Sequence, residues 1–190
     1  MSGARMAQAP SQDAGRVRVW DAGVRLFHWS MVTAVASAWI VIDPRWLHRR
    51  FGYVVIGLIV FRLVWGLLGT RHARFTSFIP GPRRLLGYLA DMMRGRERRY
   101  LGHNPAGAVM IIALLLTLTG ITTTGVMMGM DRYFGQSWVE HLHKTMVDGL
   151  LVLVAGHLAG VAYSSLKHRE NLVAAMIHGQ KEQHDDDMDA

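Results

Sequence analysis

Cysteine is absent from this sequence of 190 residues, and charged residues are scarce. Without cysteine, the chain itself cannot form disulfide bridges, thiolate zinc sites, cysteine-ligated iron–sulfur clusters or covalently attached c-type haem. Any metal bound by its side chains must therefore use the 10 histidines, the 12 methionines or oxygen ligands. Charged residues make up 18% of the chain, against roughly 25% in an average soluble domain. The composition thus departs from that of an ordinary soluble protein.

Acidic residues are the scarcer charged type, since 14 aspartates and glutamates face 21 lysines and arginines and leave a formal net charge of +7. Such a chain is either a nucleic-acid-binding protein or a membrane protein with a basic cytoplasmic face. Four long apolar stretches decide between the two, at roughly residues 26–42, 51–68, 106–130 and 146–166. The length of each stretch fits the roughly 17 to 25 residues that a helix needs to cross the hydrocarbon core of a bilayer. The sequence therefore predicts an all-α membrane protein, a bundle of four transmembrane helices over residues 20–170, with an arm (1–19) and a tail (171–190).

The lysines and arginines predict the orientation of this bundle. They are concentrated in the N-terminal arm, in the segment between the second and third predicted helices, and just after the fourth. Positive loops tend to stay in the cytoplasm, so we expect both termini and the middle loop there. This topology, together with contact with anionic membrane lipid, accounts for the charge without nucleic-acid binding. Arg45, Arg49 and Arg50 fall in the first outer loop, where we expect them to meet anionic groups or an acidic partner.

Four histidines in or beside these stretches are the strongest candidates for a site, since ionisable side chains within spanning helices are usually functional or paired. His143 and His157 are 14 residues apart, nearly four helical turns, so their rings leave the same helix face roughly 21 Å apart along the axis. That spacing suits two stacked planar cofactors and is too long for both rings to bind one metal ion. Each ring therefore needs a partner from another helix, and depth in the membrane pairs His28 with His157 and His48 with His143.

Two axial imidazoles saturate the iron of a haem, so such pairs predict two non-covalently bound b-type haems and electron transfer rather than oxygen or substrate binding. Zinc or copper sites would need clustered ligands, whereas these histidines fall into two pairs at different depths. Two alternatives stay open from the residues alone. Each histidine is a packing residue without a ligand, or His141 replaces His143 as a ligand.

Two arginines near the same helices are candidates for binding the anionic propionate groups of haem. Arg25 precedes His28 by about one helical turn. Arg62 lies 14 residues after His48, which places it on the same helix face about four turns deeper, near the level of His157. Both arginines have an alternative role as anchors whose charged ends reach the lipid headgroups.

Several short motifs occur in a recognisable order along the chain. They are RLFHW at residues 25–29, HRRFG at 48–52, FRLVWG at 61–66, GHNPAGA at 102–108 and the His143/His157 pair. In their order and spacing, over residues 17–179, the chain resembles the bacterial cytochrome b561 family, which includes b-type subunits of nickel–iron hydrogenases. The resemblance implies a bundle in the bacterial inner membrane with two b haems on His28, His48, His143 and His157. It also implies electron exchange with quinone, a soluble c-type cytochrome or a hydrogenase-like enzyme.

These observations together predict a carrier that passes single electrons across the inner membrane between the quinone pool and a redox partner. Quinol oxidation or quinone reduction is the reaction expected if the chain has an enzymatic activity of its own, although no dedicated catalytic acid or base is evident. Two alternatives of other classes remain. One is a haem-free transporter whose histidines relay protons, and the other is a plain membrane anchor for a partner.

Overall fold

The computed structural model describes residues 15–97 and 99–182, most of which form helices. The α-helices among them are α1 (Ala22–Ile40), α2 (Arg45–Leu68), α3 (Phe75–Phe78), α4 (Pro82–Met93), α5 (Pro105–Met127), α6 (Ser137–Lys167) and α7 (Leu172–His178). Single 3₁₀ turns occur at Arg71–Ala73 and Asp131–Tyr133, and two short strands are β1 (Arg16–Arg18) and β2 (Gln180–Glu182). Residues 1–14 of the predicted arm, Arg98, and residues 183–190 of the predicted tail lie outside the described residues.

Polar side chains define where the first and third long helices begin. The Asp21 carboxylate caps α1 by accepting a hydrogen bond from the Val24 amide at 2.9 Å. It also accepts from the Trp65 indole at 3.2 Å and from the Thr70 hydroxyl, so one side chain joins the start of α1 to the end of α2. At α5, Asn104 accepts from the Gly107 amide at 2.7 Å and proline fills the first helical position, which needs no amide hydrogen.

All four long helices begin earlier than the apolar pattern predicts, and two of them do so by six residues or more. α2 begins at Arg45 instead of residue 51, and α6 begins at Ser137 instead of residue 146. Both additional segments are polar, because a helix can continue through the interfacial region beyond the apolar length that the hydrocarbon core requires. As a result, His48 lies in the first turn of α2 and His143 in the second turn of α6, on regular helix rather than on loops.

Three helices among the described residues, α2, α5 and α6, are long and apolar enough to cross a membrane. α1 has 19 residues but is less apolar, because Arg25, His28 and three hydroxyl side chains interrupt it. Large apolar side chains point outward from the long helices, such as Leu67 and Val152, which are 68% and 72% exposed. A surface of this kind suits lipid rather than water. The all-α membrane protein is thus confirmed in this coarser form, and the fourth span stays a prediction.

The long helices pack in the order α1, α2, α5 and α6, with each helix contacting the next. Apolar side chains from all four helices meet about halfway along the bundle in a set that we call the central core. It consists of Met31, Ala34, Val55, Ile59, Leu118 and Leu150, all buried. Burial of these side chains stabilises the bundle because they pack against one another more closely than lipid chains would, and so make more dispersion contacts.

A small antiparallel sheet joins β1 to β2, with Val17 opposite Lys181. Gly179, just before β2, has φ of +83° and ends α7, and its carbonyl accepts hydrogen bonds from the Val19 and Trp20 amides at 3.0 and 3.1 Å. A Cβ atom at this position would lie 2.5 Å from the Trp20 carbonyl oxygen, so only glycine fits. The sequence pattern assigned these segments to an arm and a tail, because strands of three residues leave no periodic signal.

Ion pairs reinforce the end of the bundle that carries the sheet. Glu170, just after α6, pairs with Arg99 at 3.2 Å and with Lys181 of β2 at 3.4 Å. The buried Glu97 carboxylate accepts a hydrogen bond from the Tyr163 hydroxyl at 2.7 Å. These contacts fix β2 and the end of α6 to the segment between α4 and α5. We call this the sheet end of the bundle and the opposite end the far end.

Candidate functional site

The four predicted site histidines form two pairs, one towards each end of the bundle. At the sheet end, His28 of α1 faces His157 of α6, with ring centroids 6.5 Å apart and ring planes inclined by 50°. At the far end, His48 of α2 faces His143 of α6 at 6.4 Å and 70°. We call these the sheet-end pair and the far-end pair. The structure therefore brings together the same partners that depth in the membrane suggests.

The distance within each pair fits a metal ion bound between two imidazoles. A metal–nitrogen bond of about 2 Å, plus about 1.1 Å from that nitrogen to the ring centre, puts the centroids of two opposed imidazoles roughly 6.3 Å apart. The observed 6.5 and 6.4 Å are close to that value. Within residues 15–97 and 99–182, no three histidine, aspartate or glutamate side chains form a metal-binding group. Two ligands without a third suit haem, whose porphyrin supplies four nitrogens, and do not suit a zinc site.

Both histidines of the far-end pair have one ring nitrogen engaged by the protein. His48 Nδ1 lies 2.8 Å from the carbonyl oxygen of Ala38 on α1. A carbonyl only accepts hydrogen bonds, so Nδ1 of this ring must carry the hydrogen, and the neutral ring keeps Nε2 free as a metal ligand. His143 Nδ1 lies 3.0 Å from the hydroxyl oxygen of Thr124 on α5. A ligand histidine held through its second nitrogen is the usual arrangement in metalloproteins.

The sheet-end pair is held differently. His28 Nδ1 is buried without a hydrogen-bond partner, and so is Nε of Arg25 one turn earlier. Buried polar atoms are nearly always partnered in folded proteins, so two unpartnered nitrogens one helical turn apart in sequence suggest a place where a further group fits. An aromatic neighbour also limits the His28 ring, because the Trp29 ring packs edge-on against it at 5.2 Å.

Arg62, the second predicted propionate-binding residue, lies inside the protein with 3% of its surface exposed. Its Nη1 donates to the Ala73 carbonyl at 3.0 Å, and the guanidinium carbon lies 4.7 and 5.9 Å from the ring centroids of Phe75 and Phe78. This enclosed position does not fit the alternative of a side chain extended to lipid headgroups. It places a permanent positive charge at the sheet end of α2.

A fifth histidine, His103, lies in the same region; its place just before the third predicted helix is typical of a loop residue and also suits contact with a propionate or a quinone. Its ring lies between Trp20, at 4.5 Å, and Phe78, at 4.7 Å between centroids, and its Nδ1 is buried without a partner. Burial, reinforced by the nearby positive charges of Arg62 and Lys181, lowers the pKa of His103 to about 3. The ring is therefore neutral at physiological pH.

Acid should destabilise the protein through His103. Because its pKa is about 3 in the folded chain and about 6.5 when unfolded, the unfolded chain binds the extra proton as pH falls below 6.5. The stabilisation is complete above the unfolded pKa, and about 2 kcal/mol is lost by pH 5. Denaturant titrations in detergent at pH 7 and pH 5 should show this loss in the wild type and a smaller one in His103→Leu. Equal losses in both proteins would contradict the expectation, and His141→Leu, at an exposed histidine, serves as the control.

The central core lies between the two histidine pairs. On α6, Leu150 follows His143 by seven residues and precedes His157 by seven, or roughly 10 Å of helix on each side. The core side chains are apolar and buried, so they keep water out of the space between the pairs. The arrangement can hold two separate centres in line along one helix, with the apolar side chains of the central core between them.

Comparisons with known proteins add a family and several relatives. The family description "Prokaryotic cytochrome b561" matches residues 19–179. A relative from Azotobacter vinelandii is 24% identical, with 90% of each chain covered. A relative from Bradyrhizobium diazoefficiens is 22% identical, and the match covers 87% of this chain and 86% of the relative. A relative from Rhodobacter capsulatus is 23% identical, and the match covers 90% of this chain and 83% of the relative. All three are named "Probable Ni/Fe-hydrogenase B-type cytochrome subunit". No solved structure matches the chain at a significant level of similarity.

Proposed function

The chain belongs to the prokaryotic cytochrome b561 family, and we propose that this membrane b-type cytochrome holds two haems within four spanning helices. Its general role, the transport of electrons, follows from that family. Family membership implies haem b. The ligands that we propose are His28 with His157 for one haem and His48 with His143 for the other. The observation that supports this assignment best is the spacing of the two pairs, 6.5 and 6.4 Å between centroids.

We propose α1 as the fourth span because of the way it packs. It lies against α2 and contributes Met31 and Ala34 to the central core. It also carries His28 to the same end as His157, which lies on a helix long and apolar enough to cross the membrane. Because α1 lies beside its spanning neighbours from His28 to Ala34, it is expected to share their lipid environment. The exposed hydroxyl of Thr33 donates to the Trp29 carbonyl of the same helix at 3.0 Å, as expected for a polar group within a membrane.

Haem b, when bound, supplies an iron that accepts and releases one electron at a time. The residues of this chain hold and separate the two sites. The histidine pairs would each hold one haem, and Arg62 and Arg25 would neutralise the propionates of the haem at the sheet end. The central core would separate the two haems with apolar side chains. Two histidine ligands would leave a haem suited to electron transfer rather than to oxygen or substrate binding.

Electrons are proposed to move between the quinone pool and a redox partner on the other side of the inner membrane. Arg45, Arg49 and Arg50 are exposed on the first turns of α2, beside His48 of the far-end pair. This basic patch suits an acidic partner surface. Because its relatives are named as hydrogenase cytochrome subunits, a hydrogenase-like enzyme is our first candidate and a soluble c-type cytochrome the second. We place both termini and the sheet end in the cytoplasm, in accord with the positive-inside tendency.

Purified protein produced with ample haem should contain two haems per chain. The measurement is a pyridine haemochrome assay against protein concentration, together with the spectrum reduced by dithionite, which should be of b type. A colourless preparation that is folded and monodisperse would contradict the proposal and favour a haem-free transporter or a membrane anchor. One haem per chain would contradict the assignment of one of the two pairs.

A further inference from the structure

The two histidine pairs differ in what their second ring nitrogens contact. In the far-end pair, Nδ1 of His48 has a carbonyl acceptor at 2.8 Å and Nδ1 of His143 has a hydroxyl oxygen at 3.0 Å. In the sheet-end pair, Nδ1 of His28 is buried and has no partner. The environments also differ in charge, because the guanidinium of Arg62 at the sheet end is buried, whereas Arg45, Arg49 and Arg50 near the far-end pair are exposed and screened by solvent ions. Two similar pairs thus have unlike surroundings.

The His143 ring contacts the hydroxyl of Thr124 and also the backbone of Ile121, whose carbonyl can only accept. The Thr124 hydroxyl oxygen lies 2.9 Å from the carbonyl oxygens of both Gly120 and Ile121 on its own helix. A hydroxyl has one hydrogen, and these carbonyls only accept, so that hydrogen is directed to the helix backbone. The hydroxyl oxygen is then left to accept from His143 Nδ1, which must carry a hydrogen. Nε2 of His143 consequently has no hydrogen and is available to bind a metal.

The next residue on α5 supports the same ring. A Cβ atom built on Gly125 would lie 3.4 Å from His143 Cε1 and 3.8 Å from Nδ1. The imidazole therefore lies directly against the α5 backbone, with Thr124 at its nitrogen and glycine beside it. Thr124 is itself buried, with 4% of its surface exposed, so water does not compete strongly for the hydrogen bond.

We propose that Thr124 is a positioning residue, which together with the Ile121 carbonyl holds the hydrogen of His143 Nδ1 and thereby makes the far-end haem the lower-potential centre of the two. The proposal rests on the proposed function. An imidazole that donates its second hydrogen to an acceptor is a more electron-rich ligand and favours the oxidised metal. Both far-end rings have such an acceptor, whereas the sheet end combines an unpartnered His28 Nδ1 with a positive charge that favours the reduced metal. At equilibrium a single electron therefore resides at the sheet end, and transfer from the far end to the sheet end is downhill.

The test compares Thr124→Val, which keeps the shape and removes the hydroxyl, with Thr124→Ser, which restores it. Thr122→Val is the matched control, because the Thr122 hydroxyl bonds only to the carbonyls of Leu118 and Thr119 in the contacts that the structure gives it. The readout is a spectroscopic redox titration of the full chain in detergent. The haem that is lost in His143→Ala identifies the far-end potential.

In Thr124→Val we expect the far-end potential alone to rise, by about a threefold to tenfold change in the oxidised-to-reduced ratio, or roughly 30 to 60 mV for one electron. Thr124→Ser and Thr122→Val should match the wild type. Selective loss of the far-end haem in Thr124→Val, with recovery in Thr124→Ser, would support the same role. Unchanged potentials with both haems bound, or equal changes at both centres, would overturn it. A wild-type far-end potential above that of the sheet end would also overturn it. Failure of the proposed function would look different, since the wild-type protein would then bind no haem.

Discussion

Replacing His143 with alanine should remove one haem and leave the other in place. The remaining far-end ring, His48, cannot hold the iron alone at a normal affinity, whereas the sheet-end pair stands roughly 21 Å away along α6 and keeps both ligands. The same result is expected for alanine at His48, His28 or His157. Haem content per chain should fall from two to about one in each variant, as measured by pyridine haemochrome and by the reduced spectrum.

Double variants make the pairing itself testable. Alanine at both His48 and His143 should still leave one haem, because both changes affect one site. Alanine at both His48 and His157 should leave none. His141→Ala is the matched control, since this exposed ring is two residues from His143 and its Nδ1 bonds the Ser137 carbonyl at 2.8 Å. Loss of haem in His141→Ala, or retention of one haem in the cross-pair variant, would contradict the assignment.

Arg62→Leu should shift the sheet-end haem to a more negative potential. The buried guanidinium would favour the reduced iron. For a separation of about 10 Å and an effective dielectric of about 20, a unit charge would contribute roughly 1.7 kcal/mol, or about 70 mV for one electron. The potential of the far-end haem should change much less, because the far-end histidine pair lies several helical turns further from Arg62. A redox titration of the purified protein measures both values.

Arg62→Lys separates the charge from the contacts. Lysine keeps the positive charge but loses the planar stacking on Phe75 and the hydrogen bond geometry to Ala73. We therefore expect a potential near that of the wild type together with a lower melting temperature. If Arg62→Leu kept both haems with both potentials unchanged, Arg62 would be only a structural residue.

The pairing of the histidines was accessible from the sequence because it depends on regular geometry. Fourteen residues on one helix set the spacing of His143 and His157, and antiparallel helices bring His28 and His48 to opposite ends. Helix starts were less accessible, because apolar patterning follows the lipid boundary and not the end of the helix, which is why α2 and α6 begin earlier than predicted. The membrane-spanning character followed from length and hydropathy in three of the four stretches.

The surroundings of the histidines could not be predicted, because they depend on contacts between distant segments. Thr124 meets His143 only through the packing of α5 on α6. His103 is buried because Trp20, more than eighty positions earlier, covers one face of its ring. Neither contact has a periodic signature, since a threonine in an apolar helix and a histidine before a helix cap are both common in other roles.

The β1–β2 sheet has a consequence for the order in which the protein is assembled. Its two strands, Arg16–Arg18 and Gln180–Glu182, are separated by nearly the whole described chain. The ribosome therefore releases all four long helices before the second strand exists to close the ring of contacts around Trp20. The sheet, and with it the ion pair of Lys181 with Glu170 just after α6, can therefore form only after every long helix has been synthesised.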